Sequence, residues 1–309
     1  MRYAVVLGEA LIDLLDGKCD GAPVYRQVIG GAPLNVAVGV ARLGGAVEFA
    51  GSLGDDALAE RIRQFLRTAG VGDRALTTVP APTTLAVATF TGAEPDFRFY
   101  GDPPSYGLLD AAGLDAGLIA DAAVLYCGSI ALLCEPTLAA ARQAWANTTG
   151  LRVFDPNVRP RLLPDRRALT AYRDVVAGFA ATADLVKLSA ADAEVLYDGA
   201  DPGVAAGLLH DLGAGAVVVT RGAAGALVSA GGEALMIDAP KVAAVDATGA
   251  GDSVMGALIA ELLDTGLPID AVGWAQRVGF ALRVAGLVCE SPGGAVSMPT
   301  RAAVAERFA

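Results

Sequence analysis

The sequence predicts an α/β protein built on a parallel sheet covered by helices. Three observations predict it. Short apolar runs bounded by turn residues alternate with helix-period segments nearly throughout the chain. Hydrophobic residues make up 54% of the 309 positions against 18% charged, enough for a sizeable core. No repeat, low-complexity tract or linker divides the chain, so residues 1–309 are expected to form one domain.

In chain order, strands are predicted at 3–7, 47–51, 122–127, 151–155, 184–188 and 216–220. Helices are predicted between them. The segment 33–43 opens on Pro33, 56–69 carries apolar residues at helical spacing, and 136–147 begins with Pro136, where a first-turn proline is tolerated. Near the end, 250–263 and 268–287 read as a helical pair. Two stretches break the rhythm, 18–31 and 83–101, with β-branched and aromatic residues around turn signals and a hairpin expected at 92–96. These strands are too few to stand alone, so a β-rich lid over 14–31 and 83–104 is expected on the α/β body. Gly30 and Gly31 would be its hinge.

The formal net charge of −11 disfavours nucleic acid and anionic membrane as partners, because both need a basic face. A phosphate-bearing ligand would then need local help from helix N-termini, a cation or a few arginines. Cys19, Cys127, Cys134 and Cys289 show no metal or disulfide spacing and read as buried reduced thiols. With no membrane-length apolar run and no signal-peptide pattern at the start, a cytoplasmic enzyme is the expectation. His210 reads as a surface residue at a helix end.

The stretch VDATGAGDSV, 245–254, carries the chemistry. Gly249, Ala250 and Gly251 precede a strong helical run, so their amides are expected at a helix start, where they form an anion site. A Walker P-loop is excluded, because Ala257 and Leu258 follow Gly256 where lysine and Ser/Thr would stand. Asp252 is then either a carboxylate stabilised by the helix dipole or a general base beside a phosphoryl group. A dinucleotide-dependent oxidoreductase is disfavoured, since the first strand runs into LGEALID and not into a G-x-G-x-x-G turn.

VDATGAGDSVMGAL resembles the C-terminal signature of the ribokinase-like (PfkB) carbohydrate kinase family, and GGAPLNVAVGVARLGG, 30–45, looks like its N-terminal signature. The likeness runs from LGEALIDL to SPGGAVSMP, essentially the whole chain. It implies a three-layer sandwich with a central mostly parallel sheet, and phosphoryl transfer from ATP to a sugar hydroxyl. Asp252 matches the family's base, and Gly249, Ala250 and Gly251 its anion hole. Asp13, Gly30, Gly31, Asn35, Tyr100 and Arg159 match acceptor-binding positions. VVVTRGAAGALV, 217–228, resembles the segment lining the ATP phosphates, which nominates Thr220, Arg221, Gly222 and Gly225 beside Lys187 and Ser189.

Where the family carries N-x-x-E to order Mg2+ through water, this chain has Ser189 and Asp192, with Glu194 two residues on. An N-cap serine with an acidic helix face would look the same. Asp246, Thr248, Gly294 and Ser297 match a monovalent cation site, K+ in family members that have one.

GSIALL, 128–133, and FDPNVRPRLLPD, 154–165, look most like fructokinases and ketodeoxygluconate kinases. Gly101 follows Tyr100 where an arginine would serve a sugar-acid carboxylate, although Arg98 is near, so fructose is the expected acceptor and ketodeoxygluconate the runner-up. Ribokinase and nucleoside kinase follow, the latter kept open by Phe97, Phe99, Tyr100 and Tyr106 as a stacking wall. A non-catalytic sugar-binding regulator on the same fold is the alternative from another class. The resemblance also implies a homodimer through the lid.

Overall fold

The computed structural model describes residues 2–91 and 94–309, and the side chains of all of these except 89–97. The predicted hairpin turn at 92–96 therefore lies partly outside the described residues, as does the Phe97 side chain. Among the described residues, thirteen strands fall into two sheets: β1 (Tyr3–Leu7), β2 (Leu11–Cys19), β3 (Ala22–Gly30), β4 (Ala46–Leu53), β5 (Gly72–Thr78), β6 (Leu85–Thr91), β7 (Glu94–Tyr100), β8 (Val124–Gly128), β9 (Leu151–Asp155), β10 (Leu185–Ser189), β11 (Ala216–Thr220), β12 (Ala226–Ala230) and β13 (Glu233–Ile237). The large sheet runs β13-β12-β11-β10-β9-β8-β1-β4-β5, parallel from β11 to β5 with β12 and β13 antiparallel at one edge.

Its inner strands are apolar on both faces, as a sheet covered on both sides requires. Val5 and Leu7 of β1 face one layer, containing the helices Thr137–Asn147, Arg166–Ala180 and Pro202–Leu212. Ala4 and Val6 face the other, containing Ala32–Arg42, Ala57–Thr68, Ala250–Thr265 and Ala271–Cys289. The mostly parallel three-layer sandwich expected from the sequence is thus observed. No helix among the described residues is long and apolar enough to cross a membrane.

The four-stranded second sheet has the order β3-β2-β6-β7. It begins at Leu11, earlier than the 14 expected, so Asp13 sits inside β2 opposite Val28. Parallel strand β5 was not foreseen from the sequence. Two other expectations change. Cys19 is exposed, so the four free thiols are not all buried. His210 is half-buried, its Nδ1 2.8 Å from the Ala214 carbonyl and its Nε2 2.9 Å from Ser229 Oγ, so it ties a helix end to β12.

Topology places the functional crevice. From β1 the chain first moves to β4 and later returns to β8 on the other side, so strand order reverses between β1 and β8. Loops leaving the carboxyl ends of such strands diverge and leave a crevice. Here those loops begin Gly8-Glu9, Gly128-Ser129 and Pro156-Asn157.

Candidate active site

Asp252 is the third residue of the helix Ala250–Thr265, which begins over this crevice. Gly249 caps it with φ 79°, a left-handed conformation that a side chain would oppose, and its missing Cβ would lie 2.8 Å from Gly294 Cα. The Ala250 amide turns back onto the Ala247 carbonyl at 3.1 Å, whereas those of Gly249, Gly251 and Asp252 donate to no protein acceptor among the described residues. Of the three amides expected to form the anion hole, Ala250 is thus spent inside the turn, while Gly249 and Gly251 are open and Asp252 adds a third donor.

Asp252 is 8% exposed. Asn35 Nδ2 donates to its Oδ2 at 2.7 Å and Asn157 Nδ2 to its Oδ1 at 3.4 Å. Burial pushes its pKa up, while Asn35, Lys187, Arg159 and Asn157 pull it back. Such a carboxylate, held by two amides at a helix N-terminus, can take a proton from a hydroxyl in the crevice.

Beneath it lies a buried ion pair. Lys187 Nζ donates to Asp155 Oδ2 at 2.8 Å, with side-chain exposures of 4% and 0%. Gly251 lets the helix start approach that ammonium: a Cβ there would lie 3.2 Å from Lys187 Nζ. Burial holds Asp155 up at about 6 against the pull of Lys187.

The pfkB family carbohydrate kinase model matches residues 1–301. The chain belongs to the pfkB carbohydrate kinase family. Fructokinase-1 of Oryza sativa subsp. japonica is 34% identical over 315 residues, which cover 98% of this chain and 96% of that protein. The fructokinase of Xylella fastidiosa with bound ATP superposes with a TM-score of 0.89 at 26% identity, over 99% of this chain and 98% of that one. The Vibrio cholerae O395 fructokinase, in its fructose-, ADP- and calcium-bound form, gives 0.88 at 26%, with the same coverage. This carbohydrate kinase therefore has the ribokinase-like fold.

The remaining predicted residues of this kinase divide. Asp13 lies against Gly30, where a Cβ would fall 2.1 Å from Asp13 Oδ2, and burial lifts its carboxyl to about 7 while Arg159 lowers it. Gly30→Ala is accordingly expected to raise the KM for the acceptor by about tenfold, by displacing that carboxylate, with little change in Tm. Steady-state kinetics at saturating ATP would check this. Gly31 (φ 116°) packs on the Glu9 carbonyl, 2.5 Å from where a Cβ would stand. Arg159 is exposed at the crevice mouth; its charge is felt by Glu9, Asp13 and Asp252.

Tyr100 is misplaced by the sequence reading. Asp13 pairs with Ala86 and Ala86 with Phe99, so those three share one face of the small sheet. Tyr100 falls in the adjacent row, opposite Leu85, and is 54% exposed. Phe99 and Tyr106 pack instead with Leu11, Ala86, Ile130 and Ala131 under the small sheet, so they form a local core and not an open stacking wall.

The pairing of Asp192 with Glu194 for magnesium is also corrected. Ser189 caps the helix Ala190–Leu196 in a reciprocal capping box, and Asp192 Oδ2 accepts from the Ser189 amide at 2.8 Å and its hydroxyl at 2.7 Å. Asp192 Oδ1 accepts the Val158 amide at 2.8 Å, which fixes the loop carrying Asn157. Two residues on, at 100° per residue, Glu194 leaves the helix on the far side and is exposed. The pair does not fit one ion, and no group of three or more His, Cys, Asp or Glu among the described residues could hold a metal.

Asp246 accepts the Thr248 amide at 2.8 Å and the Gly293 amide at 3.0 Å, while Ser297 Oγ donates to the Gly294 carbonyl at 2.8 Å. The four residues nominated for a monovalent cation are thereby gathered behind Gly249. Burial raises Asp246, but these donors outweigh it and hold the carboxyl below its usual range. On the other flank, Thr220 is half-buried at the end of β11, Arg221 and Gly222 form an exposed turn, and Gly225 is buried against the Ile237 carbonyl.

Sequence reasoning overlooked Asn157, Asp155 and Glu9. The stretch FDPNVRPRLLPD contained the first two, but nothing local says that they turn inward. Phe99 was named only as part of a stacking wall; alternation along 97–100 could have placed it on the face of Asp13.

Proposed function

We propose that the chain is an ATP-dependent fructokinase, in which Asp252 is the general base and the helix-start amides at 251 and 252 receive the transferred phosphoryl group. The carrying observation is the Asp252 carboxylate, held by Asn35 and Asn157 next to open amides at the helix start, among them those of Gly251 and Asp252. Asp252 takes the proton of a primary hydroxyl of fructose as that oxygen bonds to the γ-phosphorus. The bond from the γ-phosphorus to the β–γ bridging oxygen breaks and ADP leaves with the bridging oxygen. The amides meet the charge on the equatorial oxygens. Asp13, Gly31 and Arg159 hold the acceptor, with Phe99 behind Asp13. The kinase matches named fructokinases over nearly its whole length, and those relatives include structures with ATP or with fructose and ADP, which supports this acceptor.

Thr220, Arg221 and Gly222 line the nucleotide side, with Lys187 and Ser189 below it. Magnesium would enter on the nucleotide, as Mg-ATP, with Asp192 committed to the Val158 amide and to the Ser189 amide and hydroxyl. The gathered Asp246, Thr248, Gly294 and Ser297 would hold K+ behind the anion site. The small sheet acts as a lid on Gly30 and Gly31, and its exposed Val24 and Tyr25 would meet a second copy in a homodimer.

ADP release with fructose, ketodeoxygluconate, ribose and adenosine tests the assignment. The highest kcat/KM is expected with fructose, and turnover is expected to fall when tetramethylammonium replaces K+. Sugar binding without ADP release from any acceptor would instead mark a regulator.

A further inference from the structure

Glu9 is 2% exposed, yet no lysine or arginine among the described residues forms an ion pair with it. Its donors come from two separate segments. Oε1 accepts the Ala32 amide at 3.3 Å, at the first residue of the helix Ala32–Arg42. Oε2 accepts the Ala131 amide at 3.2 Å, and the nearby Ser129 hydroxyl favours the ionised carboxyl. A buried carboxyl without a cationic partner is costly, and apolar packing could fill the same volume.

Its surroundings carry a second cost. Ser129 holds φ 66° and ψ −159°, a region that only glycine visits freely. On the opposite side, Gly31 packs its backbone on the Glu9 carbonyl. What the two walls do explains why such a site is kept. One turn beyond Ala32 stands Asn35, which holds Asp252. Beyond Ser129, Ile130 and Ala131 pack against Leu11, Ala86 and Phe99, on the face of the small sheet that carries Asp13.

We propose that Glu9 is a positioning residue that sets the width of the acceptor pocket, clamping the start of the helix Ala32–Arg42 to the loop 129–131, so that an acceptor of matching shape meets Asp252. The inference rests on the kinase reading above. Burial raises the Glu9 carboxyl to about 7, and Ser129, the backbone amides of Glu9 and Ala131 and the more distant Arg159 offset that only in part.

The test compares kcat/KM for fructose with that for tagatose, its C4 epimer, since this ratio does not depend on how much enzyme is folded. Glu9→Gln keeps the shape but places an NH2 against an amide donor. It should raise the KM for fructose by about tenfold and narrow the ratio by about fivefold, with the KM for ATP unchanged. Ser129→Gly removes the hydroxyl while suiting the backbone, so Tm should hold or rise as discrimination still falls. It decides the matter if Glu9→Gln does not fold. Loss of kcat alone, with KM and ratio intact in whichever variants fold, would overturn the clamp. Wild-type turnover of fructose judges the acceptor reading separately; if another sugar is the acceptor, the same comparison is made with that sugar and its epimer.

Discussion

Asp252→Asn is expected to lower kcat by about 10²- to 10⁴-fold while leaving the KM values for ATP and fructose within about twofold, because proton acceptance is lost and ground-state contacts are kept. The geometry favours a clean result. Asn35 Nδ2 and Asn157 Nδ2 donate to the two carboxylate oxygens; the amide oxygen of an asparagine can still accept from Asn35, and its NH2 falls on the longer contact, 3.4 Å, where Asn157 can turn its amide to present an oxygen. Neutralising a buried carboxylate also removes a desolvation cost, so Tm should not fall. The wild-type pH profile supplies the sign. Burial raises the Asp252 pKa, the base works only when ionised, and kcat therefore declines as pH falls through that raised value. Residual activity in the variant should lack this dependence. A variant with wild-type kcat would remove Asp252 from the chemistry and leave it a helix-start carboxylate.

Lys187→Met should have the largest effect on stability, about 3–5 kcal/mol, because it strands Asp155 as a buried charge with no partner. The side chains of the pair are 4% and 0% exposed and 2.8 Å apart, so water cannot readily take the place of the ammonium. The pH dependence has a definite sign. Asp155 has a folded pKa of about 6, above the ordinary 3.8, so its contribution to stability is fully present below the unfolded value and is lost as pH rises through about 6. Without Lys187 the folded pKa rises further. The deficit between variant and wild type should therefore be greater at pH 8 than at pH 5, as urea unfolding at both values would reveal. An equal deficit at both would mean that Asp155 is not the stranded group.

Much of the scaffold was legible because strand and helix signals are local. The predicted strands 3–7, 151–155 and 216–220 coincide with β1, β9 and β11, since buried parallel strands write themselves as short unbroken apolar runs. β5, GDRALTT, escaped for the same reason: it is an edge strand, partly exposed, and its sequence is as polar as a loop. Ser189 and Asp192 stood in a familiar i, i+3 relation, but the spacing alone does not say whether such a pair caps a helix or faces a metal. The Val158 amide on Asp192 decides for the cap.

The sequence by itself determined the α/β class, the helix that starts at the glycine turn 249–251 and the carboxylate at its mouth. It did so because periodicity, capping and turn chemistry act over a few neighbouring residues. Only the tertiary structure decided which side chains meet there. Asn35 reaches Asp252 across 217 positions, Asn157 across 95, and Lys187 finds Asp155 across 32. Sheet register likewise turned Phe99 toward the face of Asp13 and Tyr100 away from it. The physical reason is that desolvation and long-range pairing set these charges and contacts, and both arise only when the strand ends are brought together around one crevice.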